Sequence, residues 1–139
     1  MKGFEKESKK FSELLGIIRK LLGPGGCPWD REQSHKSLLK YLREESGEFA
    51  RAVRKRDYGN MKEELGDILL QVALHSELAR KGKKFDIGGV LSVLNRKLIR
   101  RHPHVFGKSR AKNAGDVVKQ WNKIKKREKK RRKTRGVDA

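Results

Sequence analysis

The chain has 139 residues, of which 35% are hydrophobic and 39% charged, and its formal net charge is +20. This length suits a single domain, and so lean a hydrophobic content predicts a homodimer or higher homo-oligomer that completes the core. One cysteine, Cys27, excludes an internal disulfide framework and a zinc site of several cysteines. No apolar run approaches the roughly 20 residues of a membrane span, and no apolar signal region precedes the first helical pattern. We therefore expect a soluble, cytoplasmic protein without membrane contact, whose excess positive charge favours polyanionic partners.

Apolar residues recur at helical spacing through most of the sequence. The helices predicted from this spacing cover 5–22, 35–56, 61–80, 87–101 and 116–126. Ser34 is the expected cap of the second, and the run Gly23-Pro24-Gly25-Gly26 ends the first. Asp57-Tyr58-Gly59-Asn60 is typical of a turn. The sequence contains no strand pattern.

The predicted fold class is all-α, a bundle of four to five helices in a single domain. We expect this domain to cover 1–122 and a disordered basic tail to cover 123–139. Residues 122–139 include ten Lys or Arg against two Asp or Glu. Such a charge run is typical of a solvated tail.

Acidic residues occur in two clusters at helical spacing. The second predicted helix carries Glu44, Glu45 and Glu48, and the third carries Glu64 and Asp67. Glu45 and Glu64 fall in phase with the apolar stripes of their helices, where a solvated charge is not expected. If the two helices pack antiparallel through these stripes, the four carboxylates of Glu45, Glu48, Glu64 and Asp67 converge.

Converging carboxylates repel one another unless a cation binds between them. Mg²⁺ prefers oxygen ligands and often bridges protein carboxylates to substrate phosphates. Two such ions could position a phosphate and a nucleophilic water. The alternative, that these acids are solvated and balance nearby Lys and Arg, explains one acidic pair better than two pairs in phase.

Three segments together resemble the MazG-type, all-α nucleoside triphosphate pyrophosphohydrolases. The first is the acidic pattern of Glu44, Glu45, Glu48, Glu64 and Asp67. The second is Gly23-Pro24-Gly25-Gly26-Cys27-Pro28-Trp29-Asp30, and the third runs from Lys97 to Gly107. The acidic pattern alone is moderately specific, whereas the three segments in this order are highly specific.

The resemblance implies hydrolysis of (d)NTP between the α and β phosphates, giving (d)NMP and pyrophosphate, in housekeeping of the nucleotide pool. It implies Mg²⁺, with Mn²⁺ as a substitute, and a helical dimer. Glu45, Glu48, Glu64 and Asp67 match the family's metal ligands, and Glu44 matches an acidic position near them that orients or deprotonates water. The basic tail lies outside the family pattern.

Cations and aromatic residues elsewhere in the chain are candidates for substrate binding. Lys97, Arg100 and Arg101 lie near the end of one predicted helix and could stabilise charge on departing pyrophosphate. Trp29 and Trp121 could stack on a base. Phosphate binding is favoured over a solvated basic face, whereas base stacking and core packing explain the tryptophans equally well.

Other functions also fit parts of the sequence. A basic helical module could bind nucleic acid weakly through its tail, which explains the tail but not the acids in phase with apolar stripes. A ferritin-like di-iron protein would carry Glu-x-x-His motifs, whereas these motifs end in Glu48 and Asp67. A phosphoribosyl-ATP or dUTP pyrophosphohydrolase of the same superfamily fits the acids, but the other two segments favour the MazG branch.

Overall fold

The computed structural model describes residues 2–134, which form seven helices and no strand. The helices are α1 (Glu5–Leu22), α2 (Pro28–Arg31), α3 (His35–Arg54), α4 (Tyr58–Lys81), α5 (Ile87–Arg101), α6 (Pro103–Phe106) and α7 (Ala114–Thr134). The all-α prediction is confirmed, and five long helices are joined by loops that include two single-turn helices. None of the helices in this range is long and apolar enough to cross a membrane.

The start of α3 is fixed by its cap, as the sequence predicted. The Ser34 hydroxyl accepts a hydrogen bond from the Ser37 backbone N–H at 3.0 Å, and the Ser34 N–H donates to the Ser37 hydroxyl at 2.8 Å. This reciprocal pair satisfies two donors that a helix terminus leaves without an intrahelical partner.

The start of α4 differs from the sequence prediction. The segment Asp57–Asn60 was expected to be a turn, but α4 begins at Tyr58. The Asp57 carboxylate accepts a hydrogen bond from the Asn60 backbone N–H at 3.1 Å. Asp57 therefore acts as an N-cap, and the turn-favouring composition of this segment reflects that role.

Helices α3 and α4 form an antiparallel hairpin. His35, at the start of α3, contacts His75, near the end of α4, through Nδ1 atoms 2.8 Å apart. In the middle of α3, Glu45 meets Glu64, from the first half of α4. The contact partner on α4 moves back along the chain as the residue on α3 moves forward, so the two helices run in opposite directions.

A core of α1, α3 and α4 residues holds this hairpin in place. Its buried members are Ile18, Leu22, Leu38, Ala73 and Leu74, with Leu14, Leu21, Tyr41, Leu70 and Leu78 packed against them. Burial of these side chains supplies the main favourable free energy of folding in this part of the chain. On each helix these residues recur at helical spacing, so they share one face.

The described chain falls into two compact units, one ending at Ile87 and the other beginning at Gly88. In the second unit, α7 continues to Thr134. The last helix, predicted to end at 126, therefore extends to Thr134, and the division into a domain over 1–122 and a disordered tail stays a prediction. Lys, Arg and Glu favour helix, and the ion pairs of Glu128 with Arg100 and Arg101 hold this segment against α5. Residues 135–139 of the expected tail lie outside the described residues.

Candidate metal centre

Three carboxylates meet between α3 and α4. Glu45 and Glu48 lie one turn apart on α3, so that they share a face, and Glu64 faces them from α4. Each of the three offers a carboxylate oxygen, and these oxygens all lie within 4.8 Å of one another. The sequence prediction that these residues converge is confirmed for this trio.

The trio is enclosed and incompletely hydrogen-bonded. Glu64 is only 8% exposed, although it is an ionisable residue, and Glu45 and Glu48 are half-buried. The Oε2 atoms of Glu45 and Glu64 are buried without a hydrogen-bond partner. A buried acceptor that lacks a donor is costly, so this position favours a group that can bind the two oxygens.

Electrostatics at the trio favour a bound proton or a cation. The pKa of Glu64 is raised to about 7, mainly by burial and in addition by the neighbouring carboxylates of Glu45 and Glu48. Burial is also the largest cause of the raised pKa of Glu45, to which Asp67 and Glu48 add repulsion. A site made only of carboxylate oxygens suits a hard divalent cation such as Mg²⁺, so the residues present fit this ion.

Asp67 and Glu44 lie at the edge of this arrangement. Asp67 is half-buried, one turn along α4 from Glu64, and acts on Glu45 through its charge. It is not in the trio whose oxygens lie within 4.8 Å of one another. Glu44 is exposed beside Glu45. The ligand role of Asp67 and the water-orienting role of Glu44 stay predictions.

Trp29 lies on α2 at the margin of a cavity of about 590 Å³ beside α3. Trp29 is 49% exposed, and its ring meets that of Tyr41 edge-on with centroids 5.6 Å apart. Lys36, Lys40 and Arg43 of α3 also line the cavity. An exposed indole held by an aromatic neighbour is available for stacking, and its role in base binding stays a prediction.

The remaining predicted substrate contacts belong to the second unit. Arg100 and Arg101 both pair with Glu128. Arg100 Nε lies 2.7 Å from one carboxylate oxygen, and a terminal guanidinium nitrogen of Arg101 lies 2.9 Å from the other. Trp121 is half-buried, edge-on to His102 at 5.3 Å, with the Arg101 guanidinium carbon 5.5 Å from its ring centroid. Lys97 is half-buried. Phosphate binding by these cations and base stacking by Trp121 stay predictions.

Two features of the structure were not found from the sequence. His35 and His75 pair across the α3–α4 hairpin, and their stacked rings lie 5.0 Å apart. Glu128 is buried, although its neighbours in sequence are almost all basic. The histidine pair could have been found once the antiparallel register was known, and an isolated acid inside a basic run was the available signal for Glu128.

These observations define the class: an all-α protein whose antiparallel helix pair encloses an acidic site with the donor chemistry for a hard cation. A model of the MazG nucleotide pyrophosphohydrolase domain matches residues 33–106, which include α3, α4 and α5. The chain belongs to the MazG family. The family match thus covers Glu45, Glu48 and Glu64, and it ends before α7.

Relatives and a solved structure agree with this assignment. The chain is 50% identical over 124 residues to the nucleoside triphosphate pyrophosphohydrolase/pyrophosphatase MazG of Thermotoga maritima, covering 89% of this chain and 47% of the relative. It is 38% identical over 117 residues to the Escherichia coli K12 nucleoside triphosphate pyrophosphohydrolase, covering 84% and 44%. The chain thus spans less than half the length of these relatives. It also resembles the crystal structure of a mazG-related protein from Thermotoga maritima, with a TM-score of 0.70 and 31% identity over 83% of this chain and 98% of that one.

Proposed function

We propose that this protein is a Mg²⁺-dependent nucleoside triphosphate pyrophosphohydrolase that converts (d)NTP into (d)NMP and pyrophosphate in housekeeping of the nucleotide pool. The observation that carries the proposal is the trio Glu45, Glu48 and Glu64, with two buried oxygens that lack partners. The names of the relatives support the same activity.

The carboxylates of Glu45, Glu48, Glu64 and Asp67 hold the cation in this proposal. When bound, Mg²⁺ supplies positive charge to the phosphates and lowers the pKa of a coordinated water. Mn²⁺ has the same ligand preference and serves as a substitute. Helices α3 and α4 fix the acids on a rigid hairpin, which limits the reorganisation required when a phosphate group arrives.

The other predicted residues act on water and substrate. Exposed Glu44 orients or deprotonates the attacking water from its place beside Glu45. Lys97, Arg100 and Arg101 offset the charge of the triphosphate and of the departing pyrophosphate. Trp29 and Trp121 stack on the base, a contact that tolerates any base.

Product identification tests the proposed reaction. The protein is incubated with a panel of ribo- and deoxynucleoside triphosphates, with dUTP and phosphoribosyl-ATP included, in Mg²⁺, in Mn²⁺ and in EDTA. We expect pyrophosphate and the monophosphate with either cation and no turnover in EDTA. Release of inorganic phosphate would exclude cleavage between the α and β phosphates, and exclusive use of dUTP or phosphoribosyl-ATP would assign the chain to another branch of the superfamily.

A substitution in the trio tests the residue assignment. Glu64→Gln removes a ligand charge and keeps the side-chain shape, so we expect at least a ~100-fold loss of turnover with little change in unfolding temperature. Glu63→Gln is the matched control, because Glu63 is an exposed neighbour on α4. Full turnover in the Glu64 variant would show that the ligands are misassigned.

A further inference from the structure

The second half of α7 is a polybasic helix. From Lys123 to Lys133 nine of eleven residues are Lys or Arg, and Glu128 is the one acid. All nine basic residues are exposed, and the helix runs to Thr134. These cations have fixed relative positions, because they belong to one helix rather than to a disordered tail.

The one acidic residue of this segment faces α5 rather than solvent. Glu128 is 8% exposed and receives hydrogen bonds from Arg100 Nε at 2.7 Å and from Arg101 at 2.9 Å. Hydrogen bonding from Arg101 is the largest cause that lowers the Glu128 pKa to about 2. The acid is thus neutralised by α5 and does not offset the basic residues that face solvent.

The basic residues cover nearly the whole remaining circumference of the helix. At about 100° per residue, the nine cations between Lys123 and Lys133 leave one gap of roughly 100°, and Glu128 lies inside that gap. The helix therefore presents the line that carries Glu128 to α5 and positive charge in every other direction.

The composition of this segment distinguishes between two anionic partners. A helix that binds a membrane surface needs an apolar face to bury among the acyl chains. No apolar residue occurs from Lys125 to Thr134. Phosphates of a nucleic acid require only cations at suitable spacing, so this surface fits a nucleic acid better than a lipid bilayer.

We propose that the α7 segment from Lys123 to Thr134 binds the phosphate backbone of duplex DNA without reading its sequence. The eleven residues from Lys123 to Lys133 extend about 16 Å along the helix, a length over which B-form DNA carries about nine phosphates. The major groove, about 12 Å wide, accepts a helix and presents phosphates on both sides of it. A helix that is basic on both flanks matches that geometry, and the proposal is independent of the pyrophosphohydrolase activity.

The test compares two variants of equal net charge. One replaces Lys123, Arg127, Lys130 and Arg131 on α7 by Gln. The control replaces four exposed lysines of α1, namely Lys6, Lys9, Lys10 and Lys20, by Gln. Binding to a fluorescein-labelled 20-base-pair duplex is measured by anisotropy from 50 to 200 mM salt, and circular dichroism checks that both variants keep their helix content.

For the unmodified protein we expect a Kd near the micromolar range and a linear fall of log K with log salt. The α7 variant should bind at least ten-fold more weakly, with a salt slope smaller by about one for each cation removed. The α1 control should change Kd less than three-fold, and both variants should release pyrophosphate as the unmodified protein does. Equal losses in the two variants would overturn the proposal, as would binding to phosphatidylcholine–phosphatidylserine vesicles without binding to the duplex.

Discussion

At the scale of single residues, Glu64 combines burial with repulsion from neighbouring carboxylates. It is a carboxylate that is 8% exposed, close to two others, with one oxygen that no donor reaches. The fold can relieve such a conflict by keeping a proton on the group or by placing a cation beside it. The proton and the cation compete for the same carboxylate, so cation binding should depend on pH.

We predict that Mg²⁺ stabilises the protein more at pH 8 than at pH 5.5. Because the folded-state pKa of Glu64 is raised to about 7, the metal-free fold binds more protons than the unfolded chain. The contribution of Glu64 to the stability of the metal-free fold is therefore fully present below about pH 4.5 and is lost as pH rises through 7. The thermal midpoint with and without EDTA measures the effect, and Glu63→Gln should behave as the unmodified protein. An equal Mg²⁺ shift at both pH values would contradict this prediction.

The phase of Glu45 and Glu64 within the apolar stripes was sufficient to predict their meeting. Phase specifies which face of a helix a residue occupies, but not where its carboxylate oxygens lie. Asp67 shares the phase of Glu64 and still lies outside the trio. The contact of His35 with His75 depends on the register of the hairpin, which the spacing of apolar residues does not specify to within one turn.

At the scale of elements, two helices end in a conformation that their residues do not favour. Arg56 and Lys83 follow α3 and α4 with φ of 54° and 58°. At α3, the Asp57 N–H donates to the Ala52 carbonyl at 3.0 Å and the Arg56 N–H to the Val53 carbonyl at 3.1 Å. This Schellman pattern normally has glycine in place of Arg56.

We predict that Arg56→Gly stabilises the protein by about 0.5–1 kcal/mol, because glycine adopts positive φ without a steric cost. Lys55→Gly is the matched control. Lys55 has φ −84°, so glycine there gains nothing and should destabilise by about 0.5–1 kcal/mol. Urea unfolding measures both variants, and a loss of stability in Arg56→Gly would show that the arginine side chain contributes more than its backbone conformation costs.

Sequence propensity located the helices well and their ends less well. The ends of α1 and α5 agree with the prediction because Gly23 and Pro103 are strong helix breakers. The start of α4 and the end of α7 do not agree with the prediction, since each depends on a side-chain contact. At α4, the Asp57 carboxylate accepts from the Asn60 N–H. At α7, Glu128 pairs with two arginines.

We predict that Glu128→Gln lowers the stability of α7 by about 1–3 kcal/mol, because two guanidinium groups lose their charged partner. The same contact gives a pH dependence. The folded-state pKa of Glu128 is lowered to about 2, so its contribution is present above about pH 4.5 and is lost as pH falls toward 2. Circular dichroism at 222 nm measures both effects. Glu63→Gln is the control, and unchanged helix content in Glu128→Gln would contradict the anchoring role.

At the scale of the whole molecule, the low hydrophobic content predicted that a single chain would bury little. The structure agrees in one respect: α4 supplies many buried residues and still leaves an apolar stripe uncovered. Leu65, Leu69 and Val72 are 50%, 42% and 38% exposed, and they lie at i, i+4 and i+7 on one face. The division into a domain over 1–122 and a tail stays a prediction, whereas the all-α class is confirmed.

We predict that this α4 stripe forms a contact between two copies of the chain, because a continuous apolar face on a helix is stabilised when it is buried. The double variant Leu65→Lys and Leu69→Lys should place two charges in that contact and shift the protein to monomers. Sedimentation velocity over a range of protein concentrations measures the mass. Ile17→Lys is the control, since Ile17 is 57% exposed on α1 and should leave the mass at two or more chains. An unmodified protein that sediments as a single chain would contradict the prediction, as would a double variant that keeps the oligomeric mass.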